Sequence, residues 1–258
     1  MLFFHRLEFF GALLLFSSAL SARALDLYGQ VHHFTWEEHD QEGRLLLEED
    51  GPLFGLGVAG SSAVAERLIW SSRLEGFLGE VDYDGSTILG APVRTTTAYY
   101  GGKGETDVRW NVGGPEVATG PLGGLSTRGW LRRLDNRKDS NGYDEGWWTL
   151  YARAGWFARW TWSAGGHLAA EAALRMPLYN SARYSLTGAD GSGNVRVEPG
   201  REPSYEAALT WRTANWLAGL TYEDFHFGRS DPEPLPPFEI FQPESEGRVL
   251  SLRVGLVF

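Results

Sequence analysis

The chain has 258 residues, a formal net charge of −10, no cysteine, and 33 glycines beside 11 Trp, 10 Tyr and 14 Phe. The acidic balance leaves no electrostatic footprint for nucleic acid, and the missing cysteine removes disulfide scaffolds, thiolate metal sites and thiol catalysis. No apolar run reaches the ~18 residues that a membrane-spanning helix needs. Residues 1–24 read as a secretory signal. His5 and Arg6 precede an apolar segment from Phe9 to Leu20, and Ala22-Arg23-Ala24 supplies a small-x-small cleavage site. Residues 25–258 then read as one domain whose hydrophobic period is two, not 3.6.

The first two predicted strands, 27–39 and 44–62, turn at Asp40-Gln41-Glu42-Gly43. In 67–82, Leu68, Trp70, Leu74 and Leu78 share one face, with Arg73 and Glu75 on the other. Segment 95–112 alternates at its ends, and Gly101-Gly102-Lys103-Gly104 is expected to interrupt it as a bulge. In 122–135, Ser126, Arg128, Trp130 and Arg132 oppose Leu125, Thr127, Gly129 and Leu131.

Segment 147–162 alternates most clearly. Trp148, Leu150, Ala152, Ala154, Trp156, Ala158, Trp160 and Trp162 form an apolar lane, and Arg153 and Arg159 lie in the other. Segment 166–179 sets Leu168, Ala170, Ala172, Leu174, Met176 and Leu178 against His167, Glu171 and Arg175. In 203–213, Tyr205, Ala207, Leu209 and Trp211 oppose Glu206 and Arg212. In 216–228, Trp216, Ala218, Leu220 and Tyr222 oppose Glu223. The last strand, 247–258, sets Leu250, Leu252, Val254, Leu256 and Phe258 against Ser251, Arg253 and Gly255.

Such strands are longer than those of soluble sandwiches, where ~5–6 residues is usual, and they match the ~9–11 residues that cross a bilayer. Lipid cannot satisfy an open sheet edge, so the last strand must pair with the first. The expectation is an all-β, closed antiparallel transmembrane β-barrel of ten strands, with eight as the alternative. Short turns at 63–66, 163–166 and 214–215 fall on the periplasmic side. Longer segments at 83–94, 136–146, 180–202 and 229–246 fall outside.

The signal, the alternating strands and the C-terminal run Arg248 to Phe258 together resemble bacterial outer-membrane β-barrel proteins of Gram-negative cells. A terminal Phe preceded by alternating apolar residues resembles the segment that barrel-assembly machinery reads. The resemblance implies outer-membrane lipid and lipopolysaccharide as surroundings and that machinery as a partner; it does not name a ligand for the extracellular loops.

Inward charges are expected at Arg73, Glu75, Arg109, Arg128, Arg132, Arg153, Arg159, Glu171, Arg175, Glu206, Arg212, Glu223 and Arg253. They read as an ion-pair network filling a small barrel, since barrels of ~8–10 strands hold little beyond side chains. The other reading is a narrow, porin-like pore preferring anions, because arginines outnumber acids. Trp148, Trp160, Trp162, Trp211, Trp216 and Phe258 read as membrane-interface anchors, with Trp147 and Trp156 grouped beside them as lipid-facing mass.

Two short motifs resemble those of omptins, ten-stranded outer-membrane proteases. Asp82-Tyr83-Asp84-Gly85 matches an Asp-x-Asp pair, and Asp224-Phe225-His226 an Asp/His pair. The resemblance implies a His activating a water held by the Asp pair. In omptins the Asp/His pair follows the seventh strand, where 180–202 of this chain contains no His. His32, His33 and His39 lie beside Glu37, Glu38 and Asp40, and read as a polar strand end rather than a metal site. The expectation is a structural, surface-interaction or narrow-pore protein without catalysis, cofactor or metal, with an omptin-like protease as the alternative.

Overall fold

A computed structural model describes residues 24–86, 91–114, 116–135, 142–162, 165–186, 193–235 and 238–258. The expected signal segment lies outside them except for Ala24, which opens the first strand. The strands are β1 (Ala24–His39), β2 (Leu45–Ala65), β3 (Leu68–Ser86), β4 (Pro92–Trp110), β5 (Val117–Leu134), β6 (Asp144–Thr161) and β7 (His167–Leu186). They continue as β8 (Gly193–Val197), β9 (Gly200–Arg201), β10 (Ser204–Arg212), β11 (Trp216–Gly228), β12 (Glu233–Leu235), β13 (Phe238–Ile240) and β14 (Glu244–Val257).

Ten of these are barrel staves, each antiparallel to its neighbours: β1 to β7 in order, then β10, β11 and β14. The ring closes where β14 pairs β1, from Asp26↔Val257 to His39↔Glu244. Phe258 extends this seam. Its N–H donates to the Leu25 carbonyl at 2.8 Å, and the Leu25 N–H donates back at 3.2 Å. No edge is left in the lipid, which is the condition for crossing it with strands.

The apolar lanes face outward. Leu27, Val31, Phe54, Leu56, Trp156, Leu174, Leu209, Leu220, Leu252 and Val254 are all exposed. On β14 this lane runs from Leu250 to Phe258. That is about 27 Å along the strand and about 21 Å along the axis at a ~40° tilt, close to the ~25 Å apolar band of outer-membrane barrels. Around the end with short turns, Trp160, Trp162, Trp211, Trp216 and Phe258 are exposed together with Trp70 and Trp110. Trp160, Leu168 and Trp211 lie side by side in register across β6, β7 and β10. Trp148 sits near the opposite end, donating to the Thr127 hydroxyl at 2.8 Å and packed 5.0 Å from the Tyr179 ring.

Three expectations need correction. The glycine run in β4 is not a bulge: β4 pairs β3 and β5 without a register shift from end to end. Gly101 is needed for space, because a Cβ there would overlap the inward Phe77 ring. Segments 180–202 and 229–246 are not plain loops. β7 continues to Leu186 and pairs β8, and β12 pairs β13 as a small hairpin above the barrel. Trp147 does not face lipid: its odd position puts it in the lumen, 3% exposed.

Gly247 plays the part for Phe225 that Gly101 plays for Phe77. Gly247→Ala is expected to cost about 1–3 kcal/mol in urea titration of the refolded barrel, because an inward methyl would displace a ring in a filled core.

The β1–β2 turn is built from its own sequence. Gly43 takes φ 75°, and the Asp40 carboxylate accepts from the N–H groups of Glu42 and Arg44 at 2.9 Å each. The backbone N–H of Arg44, helped by its guanidinium and by the Glu42 N–H, holds the Asp40 carboxyl below its usual value. A lowered folded value stabilises above the unfolded pKa of ~3.9, and that contribution is lost as pH falls through the lowered value. NMR titration is expected to find Asp40 ionising below the ordinary aspartate range, and Asp40→Asn to erase the acid-side change in turn protection.

Candidate functional site

Inward residues on narrow staves meet at the barrel axis, so the lumen is the place where distant parts of the chain converge. It is filled in three layers.

The layer nearest the long loops is aromatic. Trp36 is 1% exposed and stands edge-on to Trp147 at 5.3 Å and to Trp130 at 6.3 Å. Trp130 and Trp147 stack at 5.2 Å, nearly parallel. Phe227 lies 5.0 Å from Trp147, and Phe225 lies 6.2 Å from Trp36. A buried ion cluster caps this layer. Arg132 pairs with Glu49 at 2.8 Å, Glu145 at 2.7 Å and Glu38 at 3.6 Å. Trp36 donates to Glu38 and Trp147 to Glu145, each at 2.9 Å, while Tyr99 and Thr97 donate to Glu49. One guanidinium thus serves three carboxylates, whose other oxygens are met by neutral donors.

The middle layer is an ion-pair lattice. Arg153 reaches Glu105 at 2.8 Å, Asp107 at 2.5 Å, Glu171 at 3.0 Å and Glu206 at 3.3 Å, with its side chain fully buried. Lys103 lies 3.1 Å from Glu206 and Glu223 and 3.3 Å from Glu105. Arg128 and Arg175 each approach Glu223 at 2.8 Å, and Arg73 lies 3.8 Å from Glu105. Arg128 also covers the Phe225 ring at 5.0 Å, tying this layer to the aromatic one. Glu105, Glu171 and Glu206 bring carboxylate oxygens within 4.8 Å of one another. The Arg153 guanidinium already bonds all three, so it takes the place a metal ion would need.

The third layer, toward the short turns, holds a cavity of about 170 Å³. Arg212 pairs with Asp26 at 2.8 Å, and Arg109 with Glu171 at 2.6 Å. Glu75 accepts from the Tyr28 hydroxyl at 2.7 Å. Two expected network members lack a carboxylate partner among the described residues. Arg253 donates to the Thr210 hydroxyl at 2.6 Å, and the Nε of Arg159 is buried with no acceptor.

Some of the lattice was hidden in the sequence. Lys103, Glu105 and Asp107 come from the part of β4 read as a bulge, although Tyr99, Gly101, Lys103, Glu105, Asp107 and Arg109 hold a strict period of two. Glu38, Glu49 and Glu145 look like charged strand ends, and Asp26 like the start of a chain. Those six carboxylates, against Lys103 as the one added cation, cancel the arginine excess that favoured an anion pore.

The protease motifs lie on the outer wall. Asp82 and Asp84 are exposed, their inward neighbours are Val81 and Tyr83, and Asp84 pairs with Arg94 at 2.9 Å. His226 meets Asp224 at 2.7 Å, and Glu246 at 3.7 Å on β14. β3 and β11 are four steps apart around the sheet, so at ~4.8 Å per step the two motifs are about 19 Å apart. His33 pairs with Asp50 at 3.3 Å and His39 with Glu37 at 3.7 Å on the same wall, whereas His32 points inward onto Ser251 at 2.7 Å.

A closed barrel with a lipid-width apolar band and a filled polar interior defines an outer-membrane β-barrel, and the bacterial outer membrane is where such a barrel resides. One known structure shares the fold. The outer membrane protease OmpT from Escherichia coli aligns over 91% of this chain and 95% of its own, with a TM-score of 0.61 and 10% identity. The translocator domain of autotransporter NalP from Neisseria meningitidis aligns over 93% and 91%, with a TM-score of 0.46 and 11% identity. No protein-family model matches the sequence, and no curated protein matches it.

Proposed function

We propose that this chain is a closed, non-catalytic outer-membrane barrel whose role is structural or surface-interactive. The observation that carries the reading is double closure of the lumen. The Trp36–Trp130–Trp147 layer and the Arg153 lattice block the axis in series, and their central side chains are almost fully buried. A channel needs a continuous water path, and an omptin-like reaction needs its carboxylates and imidazole around one water. Among the described residues, the plugged axis and the separation of the two motifs support the closed, non-catalytic reading.

The exposed terminal Phe258 and the fourteen-residue β1–β14 seam fit recognition of the last strand by barrel-assembly machinery. The exterior residues above the apolar band meet lipopolysaccharide headgroups. The test is planar-bilayer recording of the refolded protein together with a basic-peptide cleavage panel. Silence in both is expected. Discrete conductance steps would make it a channel, and cleavage lost in both Asp84→Ala and His226→Ala would make it a protease.

A further inference from the structure

We propose that the cavity at the short-turn end of the barrel is a binding site for a small phosphate-bearing anion taken up from the periplasmic side. The cavity is about 170 Å³ and is lined by Arg73, Arg109, Arg159, Arg212, Arg253 and His167, among others. It mixes these cationic groups with apolar ones such as Phe157 and Leu217, and is similar in size to a ~150 Å³ cavity that holds one benzene, so it admits phosphate or a small phosphate monoester and excludes a lipid or a folded peptide.

The charge around it is not locally neutral. The acids that reach this cavity are Asp26, Glu105, Asp107 and Glu171. Asp26 is held by Arg212, and Glu171 is shared by Arg109 and Arg153. Glu105 and Asp107 turn to Arg153 in the layer above. Arg159 is left with no ion pair among the described residues, and it lines the same cavity as Arg109, Arg212 and His167. Arg253 has only the Thr210 hydroxyl and the face of Tyr28 at 5.5 Å.

The Nε atoms of Arg73, Arg109, Arg159 and Arg253 are buried and have no acceptor, a feature shared by Arg128, Arg153 and Arg175 elsewhere in the lumen. Buried donors are ordinarily satisfied, and guanidinium forks suit the several oxygens of a phosphate better than any single carboxylate. Five guanidiniums spread around one cavity, two of them lacking a carboxylate among the described residues, form a cradle for an oxyanion. The Arg153 lattice roofs the cavity, so access is from the periplasmic end. Arg109 and Arg212 keep 24% and 18% of their side chains exposed there.

The experiment is calorimetric titration of the refolded, full barrel in detergent at fixed ionic strength. The probes are inorganic phosphate, glycerol phosphate and chloride, applied to the parent chain, Arg159→Gln and the exposed outer-rim control Arg133→Gln. Saturable phosphate binding is expected, weakened tenfold or more in Arg159→Gln and unchanged in Arg133→Gln. Heat-modifiable gel mobility identifies folded protein, and Arg159→Lys, which keeps the charge, is expected to retain part of the affinity. Tighter binding of glycerol phosphate than of phosphate would assign a monoester, and the reverse order free phosphate. Absence of saturable binding, equal affinity for chloride, or equal affinity in Arg159→Gln would overturn the site. The result is independent of the closed-lumen reading, which conductance tests.

Discussion

Arg153→Met is expected to lower the urea stability of the refolded barrel by about 3–5 kcal/mol. The arginine lies in the middle of the axis and bonds Glu105, Asp107, Glu171 and Glu206 with a fully buried side chain. Methionine fills most of the volume and offers no charge. Four carboxylates would then face each other with Lys103, Arg73, Arg109 and Arg175 as nearby cations. Breaking a buried pair by removing one partner costs far more than the pair itself contributes, because the stranded charge keeps its desolvation penalty. Adding Glu105→Gln to Arg153→Met should therefore recover part of the loss, a coupling that a double-mutant cycle reads directly. Arg153→Lys should fall between, since an ammonium cannot span four acceptors from one position. A loss under about 1 kcal/mol would mean that water enters the lattice and solvates the acids.

The second large effect belongs to Trp36. Trp36→Ala is expected to cost about 3–5 kcal/mol, because the ring is 1% exposed and touches Trp130, Trp147, Phe225 and Phe227. It would also strand the Glu38 oxygen that its indole N–H satisfies. The pair Trp36→Ala with Trp147→Ala should lose less than the sum, since the two rings share one contact. This variant is nevertheless expected to stay electrically silent in planar bilayers. The Arg153 lattice below it remains intact, and a path needs both barriers open. Conductance steps in the tryptophan variant would show that the lattice passes ions and that the aromatic layer alone closes the barrel.

Most of the architecture was legible because a membrane barrel writes its two surfaces into alternate residues. Segment 147–162 declares its lipid face through Trp148 to Trp162 and its inner face through Arg153 and Arg159. The physics is local: each residue either meets hydrocarbon or does not, and a shift of one position would exchange the faces. Where the lumen is narrow, this clarity fails. The inner lane of β4 reads Gly101, Lys103, Glu105, and the glycine that makes room for Phe77 looks like a break when its register partner on the neighbouring strand β3 is unseen. Trp147 adjoins a lipid-facing tryptophan, and only strict parity separates the two.

The sequence by itself determined the period of two, the outward apolar lanes, the even strand count that returns both ends to one side, and most of the lumen arginines. Tertiary structure alone decided which acid meets which cation. Glu49 and Arg132 are eighty-three residues apart, and the ring brings them to 2.8 Å. It also decided that Asp82, Asp84 and His226 stand on the outer wall rather than around a cleft. The physical reason is the same in both cases. Alternation fixes on which side of a strand a residue stands, but the partner across the axis depends on strand number, tilt and stagger, which only closure of the barrel sets.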